Sequence, residues 1–190
     1  SNSAIVGRDR EGLRLFKTDD GRDVLPSMIY FDRRGHMLVG SRAHAQAELA
    51  PGNVAQGFKR LMGTSSHLDL AAAGKSITPE EASAEIVKTL LRQVEAELGG
   101  VDVTGAIITI PAAFNQMQTE ATIAAAELAG ISQVGLIQEP IAAAMASMSN
   151  SSVRGGQFLV YDLGGGTFDV ALVQSSGGTV NIIAHEGVNM

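Results

Sequence analysis

Three consecutive glycines, Gly164-Gly165-Gly166, interrupt two apolar runs in the segment Tyr161-Asp162-Leu163-Gly164-Gly165-Gly166-Thr167-Phe168-Asp169-Val170. A strand runs into the glycines, meets a hydroxyl residue and continues as a second strand. With no side chain at the turn, successive backbone N–H groups can point into one concavity and form an anion nest. Thr167 adds a hydroxyl donor, and Asp162 can hold a hydrated magnesium ion beside a bound phosphate. A glycine-rich hairpin chosen only for its turn is the competing reading. Acids at both edges and a threonine immediately after the glycines favour the nest.

The rest of the chain supplies two lobes on which such a turn could sit. Near the start, Ala4-Ile5-Val6 and Leu13-Arg14-Leu15-Phe16 are short apolar runs that read as strands. Met28-Ile29-Tyr30-Phe31 and His36-Met37-Leu38-Val39 flank Asp32-Arg33-Arg34-Gly35, a connection suited to a hairpin. Residues 41–50 predict a short helix stopped by Pro51-Gly52, and 63–77 reads as a loop. Thr78-Pro79-Glu80-Glu81 is a capping box with proline at the first helical position. Behind it Ala82, Ile86, Leu90, Val94 and Leu98 form one buried stripe, ended by Gly99-Gly100.

A β-α-β pattern follows. Ala106-Ile107-Ile108-Thr109-Ile110 is apolar on both faces, as expected of a buried parallel strand. Asn115 can cap a helix with inner face Met117, Ala121, Ala124 and Leu128, stopped at Gly130. Val134 to Ile137 is the next strand, Pro140 starts an alanine-rich helix through Met148, and the polar stretch 147–156 resembles a hinge. Phe158 to Leu163, Thr167 to Val173 and Val180 to Ala184 then form a meander. Mixed β-α-β followed by a meander predicts two α/β lobes, the second cut short.

Composition narrows the function. A hydrophobic share of 45% and a charged share of 18% describe an ordinary globular protein. A net charge of −6 argues against general attraction to nucleic acid or an anionic membrane. No apolar run approaches the roughly 18–20 residues of a membrane span. The absence of cysteine excludes disulfides and thiolate metal sites and fits a reducing cytoplasm. His36, His44, His67 and His185 are scattered without ligand spacing, which argues against a histidine metal cage.

Two further segments are candidate sites. Glu139 in Gln138-Glu139-Pro140 stands where a strand ends and a helix begins, a usual place for ligand sites in α/β sheets. A carboxylate complementing the helix dipole is its competing reading. Lys59 and Arg60 in Gly57-Phe58-Lys59-Arg60-Leu61-Met62-Gly63 could face an anion or simply form a solvated surface. Gly52, Gly57 and Lys59 come close to a P-loop, but Phe58 separates Gly57 from the lysine and no clear strand and helix flank it.

Taken in order, Lys59-Arg60-Leu61-Met62-Gly63, Thr109-Ile110-Pro111-Ala112-Ala113-Phe114-Asn115, Gln138-Glu139-Pro140-Ile141-Ala142-Ala143-Ala144 and the Asp162 to Asp169 turn resemble the signature segments of the DnaK-type, seventy-kilodalton heat-shock chaperones. Pro26-Ser27 and Leu38-Val39-Gly40 extend the resemblance over nearly the whole chain. The glycine turn alone is shared with other actin-like proteins; the four segments together are far more specific. Other actin-like ATPases or kinases, and a non-catalytic interaction module on the same fold, are the alternative readings.

The resemblance implies an α/β actin-like ATPase fold with ribonuclease-H-like lobes. Residues 1–27 and 84–152 would form the inner part of lobe I, 28–83 its outer subdomain, and 153–190 the truncated start of lobe II with its phosphate-binding hairpin. The implied ligands are ATP or ADP with Mg, and the implied reaction is hydrolysis of ATP to ADP and phosphate. Lys59, Glu139, Asp162 and Thr167 would be catalytic, with Asp162 on the magnesium side through water. Arg60, Gly164, Gly165, Gly166, Thr167 and Asp169 would hold nucleotide, and Pro111 would relay nucleotide state allosterically. Implied partners are unfolded polypeptide clients, bound through a peptide-binding domain absent from this sequence, a J-domain co-chaperone and a nucleotide-exchange factor, and the implied location of the protein is the cytoplasm.

Departures from the family pattern shape the expectation. The first phosphate loop of the family and most of its adenosine-binding lobe are not in the sequence, so weak nucleotide binding and little turnover are expected. Thr119, Ala113 and Ile141 replace residues that are usually arginine, tyrosine and threonine, which puts interdomain coupling in question. The short loop after Met62-Gly63 is like that of the smaller, specialised bacterial branch.

Overall fold

The computed structural model describes residues 1–8, 12–149, 155–164 and 167–189. It is a mixed α/β structure whose described strands form six sheets of two or three strands each. Contacts gather the chain into two units, Ser1–Gly105 with Glu120–Gln133, and Ala106–Thr119 with Val134–Met190.

In the first unit the strands are β1 (Asn2–Ser3), β2 (Ile5–Arg8), β3 (Leu13–Phe16), β4 (Leu25–Pro26), β5 (Met28–Phe31) and β6 (Met37–Val39). The short helix α1 (Ser41–His44), β7 (Val54–Gln56), β8 (Leu68–Leu70), β9 (Lys75–Ile77) and α2 (Pro79–Glu97) follow. β2 and β3 pair antiparallel, and β5 lies between β6 and β7. The expected hairpin at 32–35 is present: the Asp32 carboxylate accepts the backbone N–H of Arg34 and of His36, each at 2.8 Å, and its other oxygen meets His36 Nδ1. The backbone hydrogen bond from His36 is the main cause holding the Asp32 carboxyl below the usual carboxylate range.

α2 follows its sequence signals closely. The Thr78 hydroxyl accepts the Glu81 N–H at 3.1 Å, and the Glu81 carboxylate accepts the Thr78 N–H at 2.8 Å. Ala82, Ile86, Leu90 and Val94 are buried; Leu98, expected in the same stripe, caps the helix and is 38% exposed. Thr78→Ala removes one half of the capping box, with an expected cost of about 1 kcal/mol. That corresponds to a melting midpoint lower by about 2–4 °C, and a midpoint unchanged within 1 °C would show the cap to be dispensable. The core under α2 joins Ala82, Ile86 and Leu90 to Leu25, Ile29, Phe31, Ala55, Phe58 and Leu70.

Three expectations for this unit change. The helix predicted over 41–50 is regular only over Ser41–His44 and continues as turns before the 3-10 turn Pro51–Asn53. The stretch 63–77 is not a plain loop: β8 and β9 pair antiparallel across the 3-10 turn Ala71–Ala73. β7, which the apolar pattern does not single out, pairs with β5 and buries Ala55.

The remaining elements are β10 (Gly105–Ile110), α3 (Gln116–Leu128), β11 (Gln133–Gln138), α4 (Glu139–Ser149), β12 (Gly156–Leu163), β13 (Thr167–Ser176) and β14 (Thr179–Asn189). β10 is hydrogen-bonded to β11. It is not buried on both faces as expected: alternate residues point out, and Ile107 is 75% exposed. Burial of both faces needs a layer on each side, and β10 gains one only where Ile110 turns inward. Asn115 does begin α3, exchanging hydrogen bonds with Gln118 through both backbone N–H groups. Of the predicted inner face Ala121 is buried and Ala124 half-buried, whereas Met117 and Leu128 are 63% and 53% exposed and Ala125 and Ala126 complete the buried face instead. Small side chains win this face because they permit close approach. Ala121 and Ala125 pack on Met62 of the first unit, to which they also belong. α4 runs through Ser149, so residues 147–149 of the expected hinge are helical; residues 150–154 lie outside the described residues, and Gly156 already opens β12.

The meander is formed as expected, with β13 between β12 and β14, both neighbours antiparallel. Its inner row, Phe158, Val160, Ala171, Val173, Val180 and Ile182, packs around Ala144 of α4.

Candidate functional site

The inner row of the meander ends in acids. β12 places Phe158, Val160 and Asp162 on one face, and β13 opposes them with Val173, Ala171 and Asp169. Asp162 and Asp169 are therefore directly opposite across the two strands, one pair before the turn, which is closed by Leu163 and Phe168. Like charges in that relation destabilise a sheet. The alternating period of two also stacks Tyr161 on Phe168, with ring centres 6.5 Å apart, away from the acids.

α4 supplies the third carboxyl group. Glu139 is its first residue and half-buried, and Pro140 behind it is buried. Glu139, Asp162 and Asp169 line one crevice with Ala112, Pro140 and His185. The crevice measures about 10 Å³, near the lower limit for one water. Three carboxyl groups give the crevice an all-oxygen donor set, the kind that hard cations such as magnesium take, but as it stands the space holds one water at most. Among the described residues no group of three His, Asp or Glu side chains is arranged to cage a metal directly.

The other predicted site residues fall as follows. Gly164 is exposed just beyond β12. Gly165 and Gly166 lie outside the described residues, and Thr167 opens β13 with its side chain outside the description. Pro111 is buried at the end of β10, and its carbonyl accepts the Phe114 N–H at 3.2 Å. Ala113 is exposed, Ile141 half-buried, and the Thr119 hydroxyl donates to the Asn115 carbonyl at 2.9 Å.

Lys59 and Arg60 belong to the first unit, on the 3-10 turn Phe58–Leu61. The turn has a simple logic: Gly57 enters it in the left-handed conformation with φ 69°, and Phe58 and Met62 are buried at its two ends. Lys59 and Arg60 are thereby carried outward as an exposed cationic pair.

Sequence reasoning passed over two residues of the crevice region. His185, directly opposite Ala171 on β14, lines the crevice, and Gly187 is directly opposite Asp169. Neither carries a motif, and only strand register reveals them.

Comparison with known proteins agrees with the order of the signature segments. A family model described as Hsp70 protein matches residues 1–71 and 64–189. The chain is 38% identical over 190 residues to the chaperone protein DnaK of Thermotoga neapolitana, covering 100% of this chain and 31% of that protein. It is 38% identical over 207 residues to the chaperone protein HscA homolog of Aromatoleum aromaticum, covering 98% of this chain and 33% of the relative. The DnaK of Thermosipho africanus is 39% identical, again over 100% of this chain and 31% of the relative. The chain thus spans about a third of the length of these relatives. With nearly every residue inside the matched regions, the chain belongs to the Hsp70 protein family.

Proposed function

We infer that this chain is part of the ATP-binding and ATP-hydrolysing domain of a chaperone, and that the crevice at Asp162, Asp169 and Glu139 is the magnesium and phosphate end of its nucleotide site. The carrying observation is the direct cross-strand pairing of Asp162 with Asp169 beside the glycine turn, with Glu139 facing the same space. Two acids opposed in a sheet are costly without a cation and useful with one.

On this reading Asp162 and Asp169 hold the hydration shell of the ion, and Glu139 orients the attacking water. Gly164, Gly165, Gly166 and Thr167 offer donors to the phosphates. Lys59 and Arg60 supply positive charge toward the γ-phosphoryl group. A magnesium ion held there would supply charge neutralisation for the phosphoryl oxygens. The residues contribute position and electrostatics rather than covalent chemistry, as phosphoryl transfer requires.

The same reading divides the chain into an inner lobe I (1–27 and 84–152), its outer subdomain (28–83) and the start of lobe II (153–190), in an actin-like arrangement. It assigns Pro111 to the relay of nucleotide state. Unfolded polypeptide, a J-domain protein and an exchange factor are the partners proposed for the whole cytoplasmic chaperone. No helix among the described residues is long and apolar enough to cross a membrane.

A glycine turn with its acids grips nucleotide weakly, with an expected dissociation constant on the order of 1 mM. About 10 mM Mg·ATP then stabilises the protein by about 1.4 kcal/mol. For a chain of this size that raises the melting midpoint by about 3–6 °C. The shift is expected to vanish in Asp162→Ala and when EDTA replaces magnesium. An equal shift in Asp162→Ala would move the site elsewhere, and no shift in the parent chain would overturn the reading.

A further inference from the structure

We propose that Gly187 is a positioning residue of this site: its lack of a side chain is what lets the Asp169 carboxylate stand beside Asp162. The proposal rests on the reading of the crevice as a cation site. Asp162, Asp169 and Gly187 form one row across β12, β13 and β14. A Cβ built on Gly187 falls 2.1 Å from Asp169 Oδ1 and 3.2 Å from its Cγ. Any other residue at 187 would therefore displace the Asp169 carboxylate from the position it holds.

Backbone conformation does not demand glycine here. Gly187 is not among the residues of positive φ, so an L residue could adopt its conformation. Glycine in a strand interior weakens the strand and marks a place where another group comes close. The close group at this place is the far end of Asp169, a flexible side chain that can swing away without unfolding the sheet.

The register that creates this juxtaposition is itself irregular. From Ser176↔Thr179 to Val173↔Ile182 the strands keep one alignment, and between Leu172 and Val173 it shifts by one residue at a β-bulge. Without that shift the alignment would set Glu186, not Gly187, opposite Asp169. The bulge thus replaces a third carboxylate in the row by a bare backbone. Bulges beside functional sites commonly re-aim side chains in this way.

The test uses Mn²⁺ in the presence of ADP, with bound metal read from the loss of the free-ion electron paramagnetic resonance signal. Gly187→Ala is expected to weaken Mn²⁺ binding about tenfold or more, in the range of outer-shell metal-site substitutions. Its metal-free melting midpoint should stay close to that of the parent. Asp169→Asn should weaken binding similarly, and the pair Gly187→Ala with Asp169→Asn no further, because the glycine acts through that carboxylate. Parent-like affinity in Gly187→Ala, alongside a loss in Asp169→Asn, overturns the proposal and leaves the cation site standing. Equal affinity in the parent, Asp162→Asn and Asp169→Asn overturns the cation site and the proposal with it. Should Gly187→Ala melt far below the parent, recovery in the pair Gly187→Ala with Asp169→Ala supports the contact, and no recovery refutes it.

Discussion

Phe58→Ala is expected to destabilise the protein by about 3–5 kcal/mol, the usual cost of emptying a buried aromatic site. For a chain of this size the melting midpoint should fall by about 6–20 °C. Phe58 is 4% exposed and packs in the same core as Ile29, Phe31, Ala55 and Leu70. It is also the first residue of the turn that presents Lys59 and Arg60. The other anchor of that turn, Met62, accepts a hydrogen bond from the Ser83 hydroxyl at 3.3 Å and packs on Ala121 and Ala125. Losing Phe58 therefore frees one end of the cationic turn as well as opening the core. Lys59→Ala, on the exposed surface, should change stability by less than about 1 kcal/mol. A midpoint for Phe58→Ala within 2 °C of the parent would show that the turn is not anchored as described.

Gly40→Ala carries the second large effect. Gly40 has φ 70° and ψ −133°, a conformation that side-chain-bearing residues avoid, at a strain of about 1–3 kcal/mol. The position is also full: an added Cβ would stand 2.2 Å from Leu25 Cδ1 and 3.0 Å from its Cγ. Leu25 is 2% exposed, so it has little room to retreat, and overpacking adds about 1–3 kcal/mol. The Gly40 N–H donates to the Met28 carbonyl at 3.0 Å, which keeps the backbone from relaxing around the new group. The expected total is about 2–6 kcal/mol. Combining Gly40→Ala with Leu25→Ala separates the causes: the packing part should be recovered in the double variant and the backbone part should not. Full additivity of the two losses would mean that the contact with Leu25 is not what excludes a side chain at 40.

Some of this architecture is legible in single residues. Thr78, Pro79 and Glu81 specify the start of α2 because capping is a local hydrogen-bond exchange, complete within four residues. Asp32 and Gly35 specify the β5–β6 hairpin for the same reason: the carboxylate reaches backbone N–H groups two and four positions on. The β8–β9 hairpin is not legible in this way. Leu68-Asp69-Leu70 and Lys75-Ser76-Ile77 are too short to show a period, and they are held by pairing with each other and by Leu70 entering the core. On α3 the larger apolar residues Met117 and Leu128 suggest the wrong face. Apolar periodicity records which side chains could be buried; close packing selects the alanines.

The candidate site divides along the same line. Motif order carries the likeness to the family, because the signature segments are each written in consecutive residues. The four residues between Leu163 and Phe168 also leave Asp162 and Asp169 close in sequence, and the strands pair them directly. Tertiary structure alone decides that Glu139 joins them, through the packing of α4 on the inner face of the meander. It alone decides that Gly187 and not Glu186 meets Asp169, because a one-residue bulge between Leu172 and Val173, which no motif announces, sets that alignment. Local hydrogen bonding is encoded where it acts, whereas register and packing depend on residues that meet only after the chain has folded.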